Sequence, residues 1–185
     1  YFALLAAQGR LIAEQQGHSK VEFAPELLEA AKQDAQLQLQ LQNQTQLFSA
    51  RRAQLQADIQ SLKEGVAGQR ALQQSYKSME QSRQGQLELL QQELTPLRGL
   101  VQEGYAPRNR QLELERQQAD IRSSLADLQG NVLRASSSIA ELQQRIVSRQ
   151  QEYRKEVETQ LAEVNRQVLA EGERYRAVSN DLQRT

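Results

Sequence analysis

Through most of the chain, apolar residues advance in alternate steps of four and three, the spacing that lays them along one seam of a supercoiled helix. One series runs Leu55, Ile59, Leu62, Val66, then Tyr76 and Met79, then Leu87, Leu90, Leu94, Leu97 and Val101. A second and cleaner one runs Ile121, Leu125, Leu128, Val132, Ala135, Ile139, Leu142, Ile146, then Tyr153, Val157, Leu161, Val164, Val168, then Tyr175, Val178 and Leu182. Successive steps of four, as at Tyr153, Val157 and Leu161, are stutters that locally unwind the supercoil.

Prolines occur only at Pro25, Pro96 and Pro107. Pro25, followed by Glu26, suits the first turn of a helix, and Pro107 after Gly104 suits the next. The stretches 25–103 and 107–185 are each 79 residues long. At about 1.5 Å per residue each predicts a rod of roughly 120 Å. Two equal rods joined by a short turn must fold back antiparallel, so the numbers of facing residues should sum to about 211 or 212. The seams meet that condition at Leu90 with Ile121, Leu87 with Leu125, Met79 with Val132, Val66 with Ile146, Ile59 with Tyr153 and Leu55 with Val157. Neither seam was defined by the other, so the match is independent support for a hairpin.

The stretch 36–47, QLQLQLQNQTQL, alternates with period two and on its own would suggest a strand. Seam-bearing sequence continues beyond it and Gln and Leu are good helix formers, so it reads as helix. There Leu37 and Leu41 share a face while Leu39 lies far round from them. A third helix, over residues 1–16 and ended by Gly17, is expected to cover Leu39. The expected fold is all-α, a single domain over 1–185. It consists of a base helix (1–16), a connector (17–24), an ascending helix (25–103), a tip turn (104–107) and a descending helix (108–185).

Composition removes several functions. With 23 basic and 23 acidic residues the formal charge is zero, which argues against a nucleic-acid partner. Absence of cysteine removes disulfides and thiolate metal sites, and a single histidine, His18, leaves neither a His-rich metal centre nor a Ser-His-Asp triad. No catalytic, cofactor-binding or metal-binding residue is expected, because a narrow helical rod offers no pocket in which burial could shift a pKa. No window approaches the roughly 20 apolar residues that span a bilayer, and no signal-peptide core is present. The chain starts at Tyr1 without an initiator methionine, so it is expected to be an excised piece, with any anchor outside it. Only 4% of residues are aromatic, whereas 33 are glutamine, a composition suited to long helices rather than to a compact core.

The densest cluster of unusual residues is the tip, 94–117. Leu100, Val101 and Tyr105 form a small apolar knob beside Arg98, Arg108 and Arg110, with Gly104 and Pro107 making the turn. A hairpin needs a Gly and a Pro in any case, and arginines solvate an exposed end. The functional reading is a docking end, because aromatic residues and arginine are enriched where proteins meet.

The run LVQEGYAPRNRQLELERQQADIRSSLADLQG resembles the hairpin tip and returning helix of the periplasmic adaptors, or membrane fusion proteins, of type I secretion systems, the HlyD family. It is most similar to adaptors that export proteases and lipases. RLIAEQQG at 10–17 and DLQRT at 181–185 are similar to the segments that flank the hairpin in that family. The resemblance implies an adaptor anchored in the inner membrane by an N-terminal helix absent here and working in the periplasm with an ABC transporter. Its hairpin tips, from a hexameric ring, would engage a TolC-like outer-membrane channel. Related tips carry an Arg, a Leu four residues on and a Ser or Thr seven further on. Here Leu100 matches, Pro107 stands at the Ser position and Pro96 at the Arg position, so Arg98 or Arg108 would have to supply the polar contact. The rival reading is a structural or tethering coiled-coil arm of an unrelated protein, which periodicity does not separate from an adaptor.

Overall fold

The structure, a computed structural model, describes all residues from Tyr1 to Thr185. It is all-α: α1 (Phe2–Gln16), α2 (Pro25–Ala31), α3 (Ala35–Gln102) and α4 (Arg108–Arg184). No helix is long and apolar enough to cross a membrane. The chain packs as two compact units, residues 1–61 with 146–185, and residues 62–145.

In the first unit α1 ends as its sequence dictates. Gly17 takes φ 69°, its N–H reaches Glu14 O, and the N–H of His18 reaches Ala13 O at 2.9 Å, which satisfies carbonyls that a helix end otherwise leaves open. The expected continuous helix from 25 is interrupted at residues 32–34. Asp34 Oδ1 accepts hydrogen bonds from the N–H groups of Gln36 and Leu37 at 3.0 and 3.3 Å, so an N-cap starts α3 afresh. Ala6, Leu27, Ala31, Leu37 and Leu41 form one core, with Phe2, Leu5 and Phe23 against it. Gly9 leaves room for Phe23, whose Cδ1 would lie 3.2 Å from a Cβ at that position.

The base helix does not cover Leu39, which is 57% exposed; the cover falls on Leu37, Leu41 and Phe48. Two residues turn a helix by about 200°, so the face that takes α1 and α2 leaves Leu39 pointing away. On the other side α1 packs Leu11 against Val157 and Leu161 of α4, and Gln8 donates to Asn165. Tyr1 stacks on Tyr175 with ring centroids 5.0 Å apart, and Phe2 meets Tyr175 edge-on. Past that point α4 outruns the start of α3, and the expected seam residues Val178 and Leu182 are exposed.

In the second unit Leu87, Leu90, Leu94, Leu114, Leu125 and Ala135 are buried. Leu90 and Ile121 share a cluster as the pairing predicts. Farther from the tip the register is lower than expected. Gln129 reaches Glu80, Gln73 reaches Ser136, and Gly65 abuts Leu142, partners whose numbers sum to 207 or 209. Met79, expected on the seam, is half exposed, because the seam here runs through the partly buried Gln73, Tyr76 and Glu80, of which Gln73 donates to Val132 O and Glu80 accepts from Gln129.

Candidate docking site at the hairpin tip

The tip is built by turn chemistry. Gly104 adopts φ 86°, a conformation that costs a side-chain-bearing residue about 1–2 kcal/mol. Its N–H donates to Val101 O at 3.1 Å, and the N–H of Tyr105 donates back to Leu100 O at 2.8 Å. This paired pattern closes the C-terminus of α3 and turns the chain out of the helix axis. Pro107 precedes α4, and Arg110 N–H bonds its carbonyl at 3.2 Å. Pro96, the only proline in a helix interior, is tolerated on an exposed face of α3.

Beneath the turn, Leu94 and Leu114 are buried to 0% and 2% exposure, with Leu90 alongside and Leu97 and Ile121 packed on them. Leu114 and the buried Gln118 were not on the predicted seam, which began at Ile121. Continuing its steps back by three and four would have found them.

The expected docking residues divide into two groups. Tyr105 is 80% exposed and Leu100 45%, Val101 is half-buried, and Gly104 and Pro107 lie open at the surface. The arginines differ in their partners. Arg98 Nε donates to Glu115 Oε1 at 3.3 Å, while Arg110 Nη2 and Nη1 reach Glu93 at 3.1 Å and Glu113 at 3.5 Å. Arg108, also exposed, forms no ion pair and donates no hydrogen bond. Gln111 above all, then Arg98 and the more distant charge of Arg108, holds the Glu115 carboxyl below its ordinary value against partial desolvation. The acceptors Glu93, Glu113 and Glu115 were missed by the sequence reading; only Glu113, three residues after Arg110 on one helix, carried a local signal.

The one buried polar network lies in the other unit. Glu14, whose side chain is fully buried, bonds Arg10 at 3.0 Å and Arg51 at 2.8 Å. Arg10 also reaches Gln44, and Arg51 reaches Glu156 and lies over the Tyr153 ring. Burial opposes the charge on Arg51, but Glu14 and then Glu156 outweigh it and raise its pKa, whereas burial, then Glu14, raises that of Tyr153. Every charge there faces an opposite one, an arrangement that fastens α1 to α3 and α4. No group of three or more His, Asp or Glu is gathered for a metal.

Residues 1–181 match the family model described as AprE, long alpha-helical hairpin. The chain is 39% identical over 166 residues to the alkaline protease secretion protein AprE of Pseudomonas aeruginosa, and 32% identical over 164 residues to the proteases secretion protein PrtE of Dickeya chrysanthemi. Both alignments cover 89% of this chain, but only 38% and 36% of those proteins, so it spans little more than a third of their length. It also superposes on the crystal structure of the soluble domain of LipC, a membrane fusion protein of a type I secretion system. That match has a TM-score of 0.92 at 34% identity, over 99% of this chain and 85% of that one.

Proposed function

The chain belongs to the family of the AprE long α-helical hairpin, and from that premise we propose that it is the hairpin part of a periplasmic adaptor for type I protein secretion. In this reading the full-length adaptor is held in the inner membrane by a segment outside these residues and works beside an ABC transporter. Its hairpins form a hexameric ring whose tips dock on a TolC-like outer-membrane channel. The hairpin spaces and docks; it does no chemistry.

One observation carries the reading: the family match spans 1–181, both arms and the turn between them, so the exposed knob at Leu100 and Tyr105 is the end of a hairpin built for reach. At about 1.5 Å per residue, arms of 68 and 77 residues each supply at least roughly 100 Å of helix contour, a periplasm-scale distance. The test is a photoreactive residue at Asn109 of the full-length adaptor, in cells that carry the transporter and channel. Capture of the outer-membrane channel is expected. A tip that captures only cytoplasmic proteins refutes the adaptor role.

A further inference from the structure

We propose that an apolar row on α4 of one hairpin packs against the uncharged outer face of α3 of a second copy. The proposal rests on the adaptor reading above, which gathers several copies, and assigns the surfaces by which they touch.

Leu112, Ala119, Ala126, Leu133 and Ala140 recur every seven residues on α4, and all five are exposed. Seven residues bring a supercoiled helix back to the same face, so they form a second apolar row beside the buried seam. The last four each follow a seam residue directly, and one residue turns a helix by about 100°, so the row points outward. The outer face of α3 differs in kind. Its two outermost rows pass through Ser75, Ser82 and Leu89 and through Ser78, Gly85 and Gln92. Although 25% of the chain is charged, neither row carries a charge between residues 68 and 99. Leu72 and Met79, 42% and 50% exposed, border this face.

The directions of the two faces select the partner. Leu112 neighbours Glu115 on its helix, so the α4 row leans toward the side marked by the Arg98–Glu115 pair. Leu89 neighbours Glu93, so the α3 face leans toward the side marked by Arg110–Glu93. These sides flank the seam oppositely. A copy shifted sideways without turning over therefore presents its α3 face to the α4 row of the first, a head-to-tail contact that rotation closes into a ring. Height agrees as well. Across the arms, level residues have numbers summing to 209, as at Gln129 with Glu80 and Gln73 with Ser136. Between copies standing level, Leu133, 68% exposed, then faces a hollow bounded by Leu72, Ser75, Ser78 and Met79. Ala119 comes level with Leu89, 67% exposed, so large side chains meet small ones in both directions. The row from 112 to 140 is about 40 Å long, and a contact strip about 10 Å wide buries roughly 800 Å² in total. That is below the roughly 1,200 Å² of stable free-standing complexes, so the face suits copies already gathered on one channel rather than an unrelated soluble protein.

The experiment places paired cysteines in the hairpin, which has none of its own, within the full-length adaptor and with transporter and channel present. Under mild oxidation, L133C combined with S75C or S78C is expected to link copies into a ladder of dimers and higher oligomers. L133C alone should give no ladder, nor should L133C with K77C, which lies on another side of α3. L133E should abolish the ladder formed by A126C with S82C and lower secretion severalfold. Its thermal midpoint should move by only a few degrees, because Leu133 buries little within the hairpin. Dimers from L133C alone, without higher rungs, would mean two-fold pairing of α4 with α4 and overturn the head-to-tail contact. Absence of a ladder from every pair, while Asn109 still captures the channel, overturns the contact and leaves the adaptor reading standing. A ladder from a protein whose tip captures no channel supports the contact and overturns that reading instead.

Discussion

At the scale of single residues, the hairpin spends buried charge in one place. Glu14 lies between Arg10 and Arg51 with none of its side chain exposed, and Arg10 is nearly as deep. Truncation to Glu14→Ala would take the buried carboxylate from two guanidinium groups, leaving Arg10 only Gln44 and Arg51 only Glu156 as hydrogen-bond partners. A broken buried pair costs about 3–5 kcal/mol, and the partial exposure of Arg51 brings the expected loss to about 2–4 kcal/mol, read from denaturant unfolding. A loss below about 0.5 kcal/mol, the range of ordinary surface substitutions, would show that the network is incidental. The exposed carboxylates act in another pH range. Arg149 first, then Gln54, holds Asp58 below its ordinary pKa, as Arg166 does Glu163 and Gln111, then Arg98, does Glu115. A depressed folded pKa means the ionised form is favoured by folding, so its contribution is complete above the ordinary carboxylate value of about 4 and disappears as pH falls through the lower folded value. The thermal midpoint should be level from neutral pH to about pH 5, then fall below about pH 4, and Asp58→Asn should flatten that acid limb. A midpoint that rises on acidification contradicts this.

At the scale of elements, what was legible in the sequence depended on how local its cause is. Gly17 and Gly104 announced their helix ends because a left-handed φ is a property of one residue. Leu90 and Ile121 fall in one cluster, as the pairing predicts, because they lie close to the turn that sets their register. Farther from the tip, contacts whose numbers sum to 207 and 209 replace the expected 211, as a stutter on one arm without its match on the other would shift them. The ion pairs Arg98–Glu115, Arg110–Glu93 and Arg149–Asp58 were not legible at all, since each needs the register known to a residue. The break before α3 had a signal that was passed over: Asp34, the sole charge between Lys32 and Arg51, stands where an N-cap belongs. Asp34→Ala should therefore cost about 1 kcal/mol, the usual worth of such a cap, and loosen the start of α3 while leaving the tip unchanged. Hydrogen exchange at Gln36 and Leu37 would report it. Unaltered protection there would mean that the packing of Leu37 and Leu41, not the cap, defines the boundary.

For the molecule as a whole, the paucity of aromatic residues and the surplus of glutamine follow from burying one stripe per helix. Small and medium aliphatics fill that stripe, and neutral amides cover the rest without adding net charge. Such a surface makes stability separable from the docking proposed for the tip, because the residues that hold the arms together are not those displayed at the end. Leu94 and Leu114 are fully buried below the turn, whereas Leu100 is 45% exposed above it. Leu100→Asp removes little buried area, and its penalty near the negative end of the α3 dipole is about 0.3–1 kcal/mol, so helicity should be retained and the thermal midpoint should move by only a few degrees. If the proposed adaptor role holds, secretion by the full-length protein should nonetheless collapse, because a carboxylate would replace apolar contact at the centre of the proposed docking surface. Leu94→Ala should show the reverse: a cavity under the turn, with a stability loss of about 2–4 kcal/mol, and capture of the channel retained at temperatures where the tip stays folded. Normal secretion by Leu100→Asp would sink the docking role of the tip, since no loss of fold could be invoked to mask it.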